Sequence, residues 1–228
     1  WRYFGPEVAG DFPVTLGEGD TPLIETVVGE NRARFKLDYL CPTGSYKDRG
    51  MAVLVTRLKA MGIKRVVEDS SGNAGSSMAA YCAAAGIACD VYVPDYTSQG
   101  KCVQIEAYGA RIVRVPGSRE DTTRAAEIAG EKSHYASHNW NPWFLHGVKT
   151  WLFEVYEAFP EVENLVVPVG QGSIALGAWL ALHLECPVEM ERIEGAPGLT
   201  ELRLERESGP IVLSRPDGRN ASLQVPGE

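Results

Sequence analysis

The sequence predicts an α/β fold, a parallel sheet covered by helices. Three observations carry it: short β-branched runs alternate with helical stretches along most of the chain, the connections between them are short, and strand-like runs stop at Pro94 and Pro116. Crossovers between such parallel strands are expected to be right-handed.

The elements follow in order. Residues 34–40 read as a strand, 48–61 as a helix and 65–68 as a strand. Residues 73–85 are alanine-rich and helical, ending near Gly86, where glycine suits a helix C-terminus. A strand over 89–93 ends at Pro94, a helix covers 101–108, and the strand over 111–115 is followed by a helix over 119–131. A polar, aromatic loop follows Tyr135, and a long helix is expected over 142–159. The apolar strand 165–169 runs through a glycine turn into a helix over 173–184. From Cys186 onward this rhythm stops: Pro187, Pro197, Pro210, Pro216 and Pro226 punctuate a segment rich in Glu and Arg. Residues 211–214 and 221–225 are placed to pair across Pro216-Asp217-Gly218 as a hairpin.

The chain has 228 residues, 44% hydrophobic and 23% charged, enough for one large or two small domains. Its net charge of −8, with no dense basic cluster, argues against a nucleic-acid partner. No apolar run has the length of a membrane span, and Trp1-Arg2-Tyr3-Phe4 does not read as a signal peptide. Five scattered cysteines without C-x-x-C spacing support neither a disulfide framework nor zinc, and a reduced, cytoplasmic setting is expected. In that setting the Asn220-Ala221-Ser222 sequon is a chance match. His134, His138, His146 and His183 show no metal-ligand spacing, so no metal is expected. Trp140, Trp143 and Trp151 are expected in core packing or a subunit contact.

Three motifs carry chemistry. Pro42-Thr43-Gly44-Ser45-Tyr46-Lys47-Asp48-Arg49-Gly50 sets Lys47 just past a Gly/Ser turn at the mouth of a helix. There it faces the positive end of the macrodipole, which disfavours the charged amine. A partly neutral lysine is a nucleophile whose usual use is a Schiff base with a carbonyl. The plain alternative is a surface lysine followed by a solvated, locally paired Asp48 and Arg49. The second motif, Asp69-Ser70-Ser71-Gly72-Asn73-Ala74-Gly75, opens the alanine-rich helix. Helix-start N–H groups bind anions such as a carboxylate, and Asn73 offers both donor and acceptor to a phenolate oxygen. The alternative is that Ser70, Ser71 and Asn73 only cap the helix. In the third, Val166-Val167-Pro168-Val169-Gly170-Gln171-Gly172-Ser173-Ile174-Ala175-Leu176-Gly177, a strand enters a glycine turn and a helix, as in a phosphate cradle. No Lys-Ser/Thr follows the glycines and the last glycine is displaced from a dinucleotide fingerprint, so a single phosphate is the economical ligand. An imine-forming lysine, a polar contact for a ring oxygen and a single-phosphate cradle together describe a pyridoxal phosphate site.

The order Lys47, Asn73, Gly170 resembles the fold-type II pyridoxal phosphate enzymes, the tryptophan synthase β-subunit family, and within it the threonine synthase group. Leu16-Gly17-Glu18-Gly19-Asp20-Thr21-Pro22-Leu23 and Asn141-Pro142 with His146-Gly147-Val148-Lys149-Thr150 add to the likeness, with His146 where a glutamate is common. It spans about residues 13 to 184. The resemblance implies two three-layer parallel-sheet domains: a large one from residues 1–47 and 141–185, and a small mobile one from 48–140. Lys47 is then the imine partner of pyridoxal 5'-phosphate and, once freed, the base for the α-proton. Asn73 contacts the ring oxygen, Gly170, Gln171, Gly172 and Ser173 hold the phosphate, and Ser71 and Gly72 with Ala74 form the substrate loop. Ala74 stands where a threonine is common. Family members continue past the glycine turn with further strands and helices. Nothing after Leu184 resembles these, so the large domain is expected to be incomplete and residues 186–228 form an atypical tail.

The leading expectation is a lyase converting O-phosphohomoserine and water to threonine and phosphate, as a homodimer with a small amino-acid substrate. The alternatives are a serine/threonine dehydratase-like ammonia-lyase or β-replacement enzyme, and a non-catalytic cofactor-binding or interaction protein.

Overall fold

The computed structural model describes residues 1–4, 8, 13–139, 141–162 and 164–182 in full, and residues 183–185 and four later strands by their backbone. It forms two compact units, Trp1–Gly147 and Val148–Glu228.

The first unit opens with an antiparallel hairpin, β1 (Leu23–Val28) and β2 (Asn31–Lys36), in which Val28 pairs with Asn31 across a two-residue turn. Gly29 has φ of 60°, the positive value such a turn requires. The single strand expected over 34–40 is the end of β2 followed by a 3-10 turn, Asp38–Leu40, and β1 lies where no strand was expected. The physical reason is exposure. Val27 is 66% and Val28 53% exposed, so no inward-outward alternation marks either strand.

Next come α1 (Lys47–Ala60), β3 (Arg65–Glu68), α2 (Asn73–Ala85), β4 (Ala88–Pro94), α3 (Gln99–Ala107), β5 (Arg111–Val115) and α4 (Arg119–Gly130). Strands β3, β4 and β5 lie side by side in parallel, Val66 opposite Cys89 and Val91 opposite Ile112. Residues 134–136 add a parallel bridge on the free side of β3, with Val67 N–H donating to the His134 carbonyl and Ala136 N–H to the Val67 carbonyl. Helices α2 and α3 wind one way from strand to strand. Helix α4 reverses that direction to return past β3 and so covers the opposite face, giving three layers. The alanines of α2 let it lie close on α1 and β4, and Met78, Tyr81 and Cys82 are fully buried there. Gly86 ends α2 in the left-handed conformation. At the other end of the unit's helices, Ser118 and Asp121 form a reciprocal capping box on α4.

Helix α5 (Pro142–Val148) follows, and α6 (Thr150–Ala158) opens the second unit. The single helix expected over 142–159 is divided at Lys149, whose dihedrals stay helical while the Leu152 N–H reaches the Lys149 carbonyl in a tighter turn. Strand β6 (Asn164–Pro168) leads into α7 (Ser173–Glu185). Beyond it lie β7 (Glu189–Ile193), β8 (Leu199–Glu205), β9 (Val212–Ser214) and β10 (Asn220–Ser222). Both β6 and β7 pair antiparallel with β8, so β6 and β7 run in the same direction with α7 as their crossover. The antiparallel neighbour of β6 departs from an all-parallel arrangement, because the short β7–β8 connection allows only an antiparallel return. The expected tail hairpin is present in shorter form as β9–β10. Trp151 donates its indole N–H to the Ile174 carbonyl, joining α6 to α7. Among the described residues no helix is long and apolar enough to cross a membrane.

Candidate active site

Lys47 is the first residue of α1, and the turn before it is pinned by Asp48. That carboxylate is fully buried: it accepts from the Thr43 N–H at 2.7 Å, the Thr43 hydroxyl at 2.5 Å and the Ser77 hydroxyl at 2.6 Å. Ser77 lies on α2, so one side chain ties the turn, the first turn of α1 and α2 together. Burial pushes the Asp48 carboxyl above its ordinary value, against the hydrogen bonds from Ser77 and Thr43. Such a carboxyl binds its proton more tightly folded than unfolded, so its contribution to stability falls as pH rises through the window above 3.8. Asp48→Asn is expected to flatten that slope in urea midpoints between about pH 4 and 7, and to lower stability by about 1–3 kcal/mol through the mismatched donors. An unchanged slope would assign the titration elsewhere.

Arg49 points away from Asp48. It donates Nε and Nη2 to the two oxygens of Asp38, each at 2.8 Å, and Nη2 to the Thr21 hydroxyl at 3.2 Å. The Thr21 hydroxyl itself donates to Asp38 at 2.6 Å. The expected local Asp48–Arg49 pair is thus replaced by two separate anchors, as adjacent helical residues do not face each other. Glu18 of the same N-terminal segment accepts from the buried Tyr81 hydroxyl on α2 at 2.6 Å. Burial, reinforced by the Glu18 charge, raises that hydroxyl above its ordinary range.

The half-buried Lys47 side chain sets Nζ 4.7 Å from the Tyr46 ring centre and 5.4 Å from that of Phe144. Phe144 also meets His138 edge-on, with ring centres 5.6 Å apart. The His138 Nδ1 lies 2.8 Å from Glu68 Oε1, and both residues are buried.

In the second motif Asn73 begins α2 and Gly72 is its N-cap, with no side-chain cap hydrogen bond. Ser70 reaches only the Gly72 N–H, at 3.4 Å. Capping therefore does not explain these residues, and the first-turn N–H groups have no intrahelical partner. Gly72 and Asn73 are exposed, Ser71 is half-buried, and Ala74 turns inward at 2% exposure. A Cβ on Gly72 would meet nothing within 4 Å, whereas one on Gly75 would strike the Ser70 carbonyl.

The third motif lies in the second unit. Gly170 and Gln171 are exposed, Gly172 has φ of 90°, and Ser173 begins α7 buried at 7% exposure. Side chains at Gly170 or Gly172 would project into open space. Trp143 stacks under the Arg57 guanidinium at 4.6 Å and Trp151 is buried, while Trp140 and the His183 side chain fall outside the described residues. Cys41, Cys82, Cys89 and Cys102 are buried and unbridged, and Cys186 falls outside the described residues. Burial, with the Asp38 charge next, pushes the Cys41 thiol up to about 11, so it is no thiolate nucleophile. Among the described residues no group of three His, Cys, Asp or Glu is placed to hold a metal ion.

The family model described as pyridoxal-phosphate dependent enzyme matches residues 14–207. The chain belongs to this family. Threonine synthase of Methanocaldococcus jannaschii is 35% identical over 190 residues, 78% of this chain and 47% of the relative. Threonine synthase of Synechocystis is 35% identical over 178 residues, 73% of this chain and 46% of the relative. This pyridoxal-phosphate dependent enzyme chain therefore spans about half the length of the curated relatives it matches. A pyridoxal 5'-phosphate-dependent aspartate racemase structure superimposes with TM-score 0.64 at 27% identity, covering 72% of this chain and 54% of that one. The Entamoeba histolytica cysteine synthase gives 0.65 at 23% identity over 72% of this chain and 54% of that one. The fold is that of the fold-type II enzymes, whose cofactor is pyridoxal 5'-phosphate. Each unit by itself carries groups that fit parts of that cofactor: in the first, a primary amine suited to an aldehyde and an uncapped helix start beside Asn73; in the second, glycines whose missing side chains leave room for an anion.

Proposed function

We propose that this chain supplies the catalytic lysine of a threonine synthase-type lyase, converting O-phosphohomoserine and water to threonine and phosphate. The observation that carries the reading is Lys47 at a helix start, flanked by the Tyr46 and Phe144 rings, on a turn anchored by buried Asp48. Bound pyridoxal phosphate supplies an electron sink for the charge left on the substrate Cα. Lys47 would hold the aldehyde end of the cofactor and would also serve as the general base for the substrate α-proton. Asn73 meets the ring oxygen. Gly170, Gln171, Gly172 and Ser173 hold the cofactor phosphate, and Ser71, Gly72 and the first-turn N–H groups of α2 hold the substrate carboxylate next to Ala74. Residues 48–140 act as the small mobile domain, and the working form is a cytoplasmic homodimer with a small amino-acid substrate.

Ala74 favours a second reading. Its methyl group offers no hydroxyl to help water add at Cβ, which suits a dehydratase-like ammonia-lyase. Incubation with O-phosphohomoserine, with free phosphate and threonine measured together, tests the first reading. Formation of a 2-oxo acid from serine or threonine without phosphate release would support the second. Bound cofactor that exchanges with neither class of amino acid would leave a binding protein.

A further inference from the structure

Phe144, the third residue of α5, is fully buried and packs its ring against the start of α1. Gly50 makes the slot for it: a Cβ there would lie 2.3 Å from the ring's Cδ2. The Lys47 Nζ, one turn earlier on the same helix, lies over that ring at 5.4 Å from its centre. The ring is therefore one wall of the space in which the lysine amine can turn. His138 meets the same ring edge-on, with centres 5.6 Å apart and planes at 70°, a contact that resists rotation of either ring.

His138 is fixed in turn by the sheet. Residues 134–136 run parallel to β3 with Tyr135 bridged to Val67, so Glu68 and His138 leave the sheet at the same end. The His138 Nδ1 lies 2.8 Å from Glu68 Oε1, and the two side chains are only 4% and 0% exposed. An oxygen at that distance accepts from Nδ1–H, which sets both the tautomer and the plane of the ring. Glu68 Oε2 is buried and has no hydrogen-bond partner among the described residues. A buried oxygen left unsatisfied costs stability, and a buried ion-pairing couple is weak evidence of net stabilisation. Stability does not account for this pair, whereas the placing of the imidazole does.

We propose that Glu68 and His138 are positioning residues for Lys47, acting through the ring of Phe144. Glu68 orients the imidazole, the imidazole edge holds the Phe144 ring, and the ring limits the rotamers open to the amine. All four residues belong to the first unit. This role rests on the reading of Lys47 as the amine that takes the cofactor aldehyde, a step that gains from an amine already aimed.

The test is labelling of the folded, cofactor-free protein with acetic anhydride, the extent at Lys47 relative to Lys59 being read by peptide mass spectrometry. Lys59 is exposed at the other end of α1 and serves as the internal reference. His138→Asn keeps an amide donor for Glu68 but has no ring edge, and is expected to raise the Lys47 to Lys59 ratio by about threefold or more. In a Phe144→Leu background the same change should add nothing. His138→Leu, which leaves Glu68 without its donor, should raise the ratio equally and lower the urea midpoint further. Should one His138 variant not fold, the other carries the same reading. Val93→Ala, buried on β4 opposite Arg114, should lower the midpoint and leave the ratio unmoved. An unchanged ratio in a folded His138 variant, a full effect of His138→Asn without the Phe144 ring, or an equal rise in Val93→Ala would overturn the role. The two readings fail separately. A cofactor band that survives Lys47→Ala removes the lysine assignment and leaves the labelling result standing. A band lost in Lys47→Ala, with the ratio unmoved by His138→Asn, removes only the positioning role.

Discussion

Lys47→Ala is expected to abolish the long-wavelength absorption that pyridoxal phosphate acquires on linking to the protein, and to cut turnover of O-phosphohomoserine by at least about a thousandfold. The loss should be chemical rather than structural. The start of α1 is held by the buried Asp48 contacts to Thr43 and Ser77 and by Arg49 to Asp38, none of which uses the lysine side chain. The Lys47 N–H meets the Ser45 hydroxyl only at 3.4 Å, and the change leaves that backbone group in place. Unfolding free energy should therefore move by no more than about 0.5 kcal/mol. A band that persists in the folded variant would move the imine to another lysine and withdraw the assignment.

Gly147→Ala is expected to have the largest effect on stability. A Cβ there would lie 2.1 Å from the Arg49 carbonyl oxygen and 2.7 Å from Gly50 Cα. Both obstacles are backbone atoms of α1, so no rotamer change relieves the clash. The two helices must separate at a point two or three residues from Lys47. Overpacking of this kind costs about 3 kcal/mol or more, read as a lower urea midpoint, and the displaced helix start should also weaken the cofactor band. The reciprocal contact is as close: a Cβ on Gly50 would enter the ring of Phe144, which is fully buried. Stability within about 1 kcal/mol of wild type would show that α1 and α5 do not cross at this distance in solution.

The glycines of both motifs thus have a packing reason that local sequence does not display. Three elements were legible to the residue: β3, α2 and β5 coincide with the stretches expected from their patterns, whereas β4 runs one residue further at each end than expected and includes Pro94. The hairpin was not, because β1 and β2 face solvent on both sides and carry no period of two. The divided helix at Lys149 was hidden for the opposite reason, since no breaker interrupts an apolar pattern that stays helical in its dihedrals. At the site, the positions of Lys47 and of Asn73 at helix starts could be read from adjacent residues, whereas the absence of a side-chain cap at the second could not. Their supports could not. Asp48 to Ser77, Glu18 to Tyr81, Arg49 to Thr21 and Glu68 to His138 join residues 28 to 70 apart, and such pairings have no signature in a single sequence.

The seam at the base of the hairpin has one more consequence. The chain leaves at Thr21 and Pro22 and returns at Leu37 and Asp38, where the Leu37 N–H meets the Pro22 carbonyl and Arg49 grips Thr21 and Asp38 together. For the lysine helix, residues 23–36 are a closed excursion whose entry and exit coincide. Its length is then free to vary: doubling it adds only about 0.6 kcal/mol of closure entropy, while the knot that holds the helix is untouched. The turn at Gly29 and Glu30 is accordingly a place where this molecule can accept an inserted peptide, or a tethered second domain, without Lys47 registering the change.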